Sequence, residues 1–209
     1  MTGIILQYRA SFIFEYEICL NSRNMLTAEK LLTAEEFARM PEPPTGERYE
    51  LVKGELIEMS PPSIYHGRFA IRLGTRLDAF VEAHGLGEVF VESGYTLEHD
   101  PDTVRGPDVS FLSTARIPPE GLPEEGFFPG APDLAIEIVS PGDLDYEIHG
   151  RVDDYLENGT RLVWVVRPKQ RSVTVYHPDG TARRLGIRDT LSGEDLLPGF
   201  KLPLSELFA

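Results

Sequence analysis

The spacing of hydrophobic and polar positions changes several times along the chain, and each change marks an element. Thr33-Ala34-Glu35-Glu36 has the form of a capping box opening a short helix that ends near Met40, where Pro41, Pro43 and Pro44 stop it. Tyr49 to Met59 alternates about Lys53-Gly54, which predicts a β-hairpin closed by Pro61-Pro62. From Ile64 to Ala83 the period becomes helical, with Tyr65, Phe69, Leu73, Leu77, Phe80 and Val81 on one stripe and Gly85 as C-cap. Strands are predicted at Val89 to Leu97, Asp108 to Leu112 and Leu134 to Val139. Between the last two, Ser113 to Ala131 is a Pro-, Glu- and Gly-rich loop of a length that is usually functional or inserted. Asp143 to Asn158 reads as a helix with Leu144, Ile148, Val152, Tyr155 and Leu156 inward, closed by Gly159. Leu162 to Val166 is a near-continuous apolar run, the pattern of a strand buried on both faces, and Ser172 to Tyr176 alternates again. Leu197-Pro198-Gly199-Phe200 and a closing turn at Ser205-Glu206-Leu207-Phe208 end the chain. Helix, hairpin, helix, strands, helix, strands is the order of a mixed sheet flanked by helices, an α/β or α+β fold.

No internal repeat and no linker divides the core, so residues 25–209 are expected to form a single domain. Residues 1–24 differ in character. Ile4 to Leu20 is apolar and aromatic but is interrupted by Arg9, Glu15 and Glu17, a poor membrane span, and it lacks the plan of a signal peptide. It is expected to be a non-core extension, with Met25 as the natural start. The single cysteine, Cys19, excludes a disulfide framework and a Cys-based zinc site, and it suits a cytoplasmic protein. The net charge of -14 argues against tight, unassisted nucleic-acid binding through a positive field, although a metal-binding carboxylate cluster is itself acidic. Gly-rich phosphate loops, His-Glu-x-x-His and Gly-x-Ser-x-Gly are absent from the sequence, which removes most NTPase, zincin and α/β-hydrolase readings.

Two acidic residues stand out against their surroundings. Asp108 opens the run Val109-Ser110-Phe111-Leu112, and Glu137 sits among Leu134, Ala135, Ile136, Ile138 and Val139. A carboxylate inside an apolar strand is costly unless something compensates for it. If the two strands are neighbours, two like charges come within a few ångströms, and a cation between them relieves the repulsion. Oxygen ligands of this kind suit Mg²⁺ or Mn²⁺. The alternative is structural: Glu137 pairs with a core arginine and Asp108 caps a turn after Pro107. Arg68, Arg72 and Arg76 recur every four residues, either a solvated face paired with glutamates or a strip that contacts phosphates.

Tyr49-Glu50-Leu51-Val52-Lys53-Gly54-Glu55-Leu56, then Met59-Ser60-Pro61-Pro62-Ser63 with His66, resembles the opening of the Uma-type family of endonucleases. Pro107-Asp108-Val109, Pro132-Asp133-Leu134 with Glu137, and Ser140-Pro141 are similar to its central block. Tyr155, Gly159, Val163-Trp164-Val165, Pro168 and Leu197-Pro198-Gly199-Phe200 continue the match, which spans about residues 26–208. That family is placed in the PD-(D/E)XK superfamily, and its members are mostly assigned by fold and motif. The resemblance implies a restriction endonuclease-like sheet flanked by helices and a Mg²⁺-dependent (or Mn²⁺-dependent) endonuclease. It further implies a nucleic-acid substrate, DNA being the expected one, no membrane association and a homodimer. Asp108 and Glu137 become the metal ligands, and Glu50 or Glu55 an additional carboxylate, with both left as candidates. His66 gains a hydrogen-bonding or proton-transfer role. The superfamily lysine is missing two residues after Glu137, where Val139 stands, and the matching helical position is Arg151. Arginine can stabilise phosphate charge but does not readily lose a proton to act as a base. The competing account of Arg151 is an i,i+4 pair with Glu147. The Arg substitution leaves open an inactive relative that binds nucleic acid or a protein partner without cutting.

Overall fold

The computed structural model describes residues 30–41, 43 and 48–209. The extension over residues 1–24 and the start at Met25 therefore lie outside the described residues. In chain order the elements are α1 (Ala34–Ala38), β1 (Arg48–Val52), β2 (Glu55–Met59), α2 (Ile64–His84), β3 (Gly87–Val91), β4 (Tyr95–Glu98), β5 (Thr103–Arg105) and β6 (Val109–Ser113). There follow β7 (Phe128–Pro129), β8 (Leu134–Ile138), α3 (Asp145–Glu157), β9 (Leu162–Arg167), β10 (Ser172–Tyr176), β11 (Ala182–Leu185), β12 (Thr190–Gly193), β13 (Leu197–Pro203) and α4 (Leu204–Leu207).

The strands build a six-stranded sheet ordered β11-β10-β9-β8-β6-β3, a five-stranded sheet ordered β2-β1-β5-β4-β7, and a ribbon of β12 and β13. The expected mixed sheet flanked by helices is what forms. β8 and β9 run parallel, and α3 is the crossover that such a pair requires. Every residue of β8 is buried, because α2 covers one face of its sheet and α3 the other. Phe69, Leu73, Leu77 and Val81 of α2 pack with Ile136, Ile138 and Trp164. Ile148, Val152 and Tyr155 of α3 pack with Ala135, Val163 and Val165. Alternation along β8 thus turns Ile136 and Ile138 toward α2 and leaves Glu137 on the α3 side. Among the described residues no helix is long and apolar enough to cross a membrane.

Three local expectations are corrected. Val89 to Leu97 is two strands in different sheets, not one. Glu92 takes a left-handed φ of 53° that ends β3. Two residues on, a Cβ at Gly94 would lie 2.3 Å from Cδ1 of Phe127, so the chain crosses between sheets where only glycine leaves room. Tyr65 does not join the buried stripe of α2. The buried face is centred on His66, Ala70, Leu73 and Leu77, and Tyr65 falls about 100° round the helix from His66. Leu144 is not inward either; it is the exposed N-cap of α3, one residue before the helix begins.

Candidate active site

Asp108 and Glu137 meet where β6 and β8 pair. β6 and β8 pair antiparallel, with Val109 opposite Ile136 and Ser110 opposite Ala135. Asp108 is the bend residue just before β6, and the bond its carboxylate accepts from the Ile138 N–H brings it beside Glu137 near the end of β8. Each carboxylate is held by its own partners. Asp108 Oδ2 accepts the backbone N–H of Ile138 at 2.6 Å, and Asp108 Oδ1 lies 2.8 Å from His66 Nε2. His66 reaches it from the first turn of α2, where the Ser63 side chain caps the His66 N–H. Glu137 Oε1 accepts the Tyr155 hydroxyl at 2.9 Å, and Glu137 Oε2 stands 3.5 Å from Arg151 Nη1.

A second, ionic layer comes from the other sheet. Arg151 Nε donates to Glu50 Oε2 at 3.3 Å, and its Nη2 lies 3.1 Å from Met59 Sδ. Glu50 Oε2 also receives Arg105 Nη1 at 2.6 Å, and Glu50 Oε1 receives the Gly106 N–H at 3.1 Å. Arg105 turns its remaining donors, Nε and Nη2, to Asp154 Oδ2 at 2.8 and 2.6 Å. A bridge from hairpin to α3 results, and it runs through Arg151 to the Asp108–Glu137 pair. Glu50, Arg105, Arg151, Asp108, Glu137 and His66 border a cavity of about 390 Å³, which also touches Arg48, Ser60, Ser140 and Asp143.

The electrostatics of the pair are those of a site short of positive charge. Four buried or partly buried carboxylates (Glu50, Asp108, Glu137 and Asp154) face two guanidiniums, Arg105 and Arg151. Burial pushes the Glu137 carboxyl up to about 8; Asp108's charge adds to this, Arg151 opposes it, Glu50 adds further and the Tyr155 hydrogen bond opposes it. The hydrogen bond to Asp108 raises the His66 imidazole above its usual value, against burial. Among the described residues no group of three or more His, Cys, Asp or Glu side chains forms a ready-made cage. Two hard oxygen donors with excess negative charge nevertheless fit Mg²⁺ or Mn²⁺, which keep waters and bind through one or two carboxylates. The donor chemistry of the pair fits such an ion.

Of the residues singled out from the sequence, Asp108, Glu137, Arg151, Glu50 and His66 meet at this cavity. Glu55 does not. It shares the hairpin face of Glu50, since Glu50 pairs with Ile57 and Val52 with Glu55, but it stands at the turn end and is exposed. Arg68, Arg72 and Arg76 do not line the cavity either: Arg68 and Arg72 donate to the carbonyls of Leu207 and Ala209, and Arg76 to that of Arg72. Arg151 is not paired with Glu147, whose carboxylate turns back to the Leu144 N–H and the Tyr146 hydroxyl. Sequence reasoning missed Arg105 and Asp154, and it gave Tyr155 only a packing role. The neighbourhood of Arg105, His99-Asp100-Pro101-Asp102-Thr103-Val104-Arg105-Gly106, is mostly polar and carries no signal that singles the arginine out.

Comparison with known proteins places this geometry. The sequence matches the Uma2 family, described as "Putative restriction endonuclease", over residues 34–205. No curated protein matches it. Among solved structures, the fold is similar to a "putative nuclease belonging to DUF820" from Anabaena variabilis ATCC 29413, with a TM-score of 0.72 and 24% identity over 85% of this chain and 97% of that one. At that identity the likeness speaks for the fold, which is restriction endonuclease-like. With most of its length matched by the family, the chain belongs to the Uma2 family.

Proposed function

We propose that the chain is a divalent-cation-dependent endonuclease that hydrolyses phosphodiester bonds of nucleic acid, with DNA as the expected substrate. The observation that carries the reading is the facing pair Asp108 and Glu137, buried together with fewer cations than carboxylates around them. Mg²⁺ or Mn²⁺ held by that pair would polarise the scissile phosphate and lower the pKa of an attacking water.

The chain's own residues divide the remaining work. His66 fixes the orientation of Asp108 through Oδ1, while the Ile138 N–H fixes Oδ2. Tyr155 does the same for Glu137. Among the described residues Arg151 is the cation beside Glu137, and its permanent charge would offset negative charge developing on the phosphate. Glu50 is a positioning residue: Arg105, Gly106 and Arg151 take up its oxygens, so it aims Arg151 instead of adding a third ligand. A guanidinium does not act as a base, so Arg151 would not take the proton of the attacking water.

Purified protein is expected to cut nucleic acid with Mg²⁺ or Mn²⁺ and to stop on chelation with EDTA. Asp108→Ala prepared in parallel is expected to be inactive. Equal cleavage by both preparations would mean a contaminating nuclease and remove the claim. The second reading, a family member that binds without cutting, is favoured by Arg151 in place of a titratable lysine and by the net charge of -14. It predicts binding without cleavage under every cation.

A further inference from the structure

We infer that Arg48 grips the nucleic-acid backbone at this site, and that Glu92 holds its guanidinium until a phosphate takes the carboxylate's place. The inference rests on the nuclease reading above and names a residue that binds its substrate.

Alternation along β1 turns Arg48 to the same side as Glu50, two residues on, and both line the cavity. Met59, the partner of Arg48 across the hairpin, touches Arg151 through Sδ. Glu92 comes from the other sheet, directly after β3, and its backbone N–H donates to the Asp108 carbonyl at 3.3 Å. Arg48 Nη1 meets Glu92 Oε1 at 3.2 Å. The His66 imidazole, raised chiefly by its bond to Asp108, feels both charges: Glu92 raises it and Arg48 lowers it. The pair therefore stands beside the acidic centre and not on a remote face.

Among the described residues, the basic side chains lining the cavity are Arg48, His66, Arg105 and Arg151. Three of them are committed. Arg105, Arg151 and His66 have side chains only 9%, 10% and 7% exposed, held by Glu50, Asp154, Glu137 and Asp108. Arg48 differs on both counts. Its side chain is 37% exposed, and its ion pair is a single contact to a carboxylate that is itself 43% exposed. A pair open to water holds its members weakly, so Arg48 can leave Glu92 at small cost. A phosphate offers the guanidinium fork two oxygens in matching geometry, where Glu92 gives it one. The rest of the site supplies the need. Carboxylates outnumber guanidiniums around Asp108 and Glu137, so the protein's own charge repels an incoming phosphodiester, and Arg48 is the lining cation placed to offset that.

Fluorescence anisotropy on the full chain in EDTA, where the proposed cleavage is blocked, tests the inference. The probes are a labelled DNA duplex, single-stranded DNA and single-stranded RNA of one length. Arg48→Met is expected to weaken the tightest of these complexes by about tenfold and to reduce the slope of log affinity against log salt by about one, with an unchanged thermal midpoint. Arg188→Met removes the same charge at an exposed residue outside the cavity lining, and it is expected to bind within about twofold of the parent. Glu92→Gln releases the guanidinium and is expected to tighten binding by a few fold. Arg48→Met that binds like the parent or loses no more than Arg188→Met, an unchanged salt slope, Glu92→Gln that binds no tighter than the parent, or no binding of any probe would each overturn the inference. Cleavage with Mn²⁺ separates the two levels. Arg48→Met is expected to raise KM by about tenfold with kcat within about twofold of the parent. A parent that cuts while Arg48→Met keeps its KM sinks this inference alone. A parent that cuts nothing yet binds through Arg48 sinks the nuclease reading and leaves the grip in place.

Discussion

Glu137→Gln is expected to yield a folded protein whose cleavage of nucleic acid is at least about a thousandfold slower, because several kcal/mol of charge stabilisation at the phosphate disappears with the cation ligand. The same substitution should make the cation-free protein more stable at alkaline pH. In the fold the Glu137 carboxyl is pushed up to about 8, chiefly by burial and then by Asp108, against an ordinary value of 4.5. Between those values the folded state binds more protons than the unfolded one, so this group's contribution to stability falls as pH rises through the window. An amide has nothing to titrate. Urea denaturation in EDTA is expected to show the parent losing stability relative to Glu137→Gln from about pH 5 to pH 9, by a few kcal/mol in total. Parallel pH profiles for the two proteins would mean that Glu137 is not the strained acid described here. Higher stability joined to lost activity is a combination that damage to the fold does not produce.

Arg105→Met carries the largest expected loss of stability. Arg105 is buried and satisfies Glu50 and Asp154 at once, through three hydrogen bonds of 2.6 to 2.8 Å. Methionine fills most of the volume but takes the guanidinium from Asp154 and leaves Glu50 held only by Arg151 and the Gly106 N–H. Removing one partner of a buried ion pair costs about 3–5 kcal/mol. The midpoint of urea unfolding should fall accordingly, and adding Glu50→Gln to Arg105→Met should recover part of the loss, since it removes one of the uncompensated charges. Failure of the double variant to recover anything would mean that the cost lies in packing and not in charge. Activity should fall as well, because Glu50 freed from Arg105 no longer fixes Arg151.

Much of this arrangement was legible in the chain, and the limits have physical causes. Glu137 lies within a strongly apolar strand and Asp108 directly before one, so each carboxylate stands out. Their adjacency in the sheet follows from pairing, which periodicity cannot reveal. The hairpin of Glu50 was clear from Lys53-Gly54, yet alternation could not choose between Glu50 and Glu55, because both lie on the same face. What chose was distance along the strand: Glu50 sits two pairs inward, within reach of Arg105, and Glu55 stands at the open turn. Short elements escaped notice altogether. β5 has three residues and β7 two, too few to show a period, and β5 is the strand that delivers Arg105. Helical spacing puts Arg68 and Arg72 in a row, which reads either as a solvated face paired with glutamates or as a phosphate strip. Their acceptors are carbonyls about 140 residues away, a long-range contact that no local pattern records.

We propose that Asp108 and Glu137 together hold a divalent cation. Calorimetric titration of Mn²⁺ into the parent protein and into Asp108→Ala at pH 8 addresses it most directly. One saturable binding event in the parent, absent from the variant, is the predicted result. No binding to the parent, or the same binding in both proteins, would mean that the pair does not hold the cation.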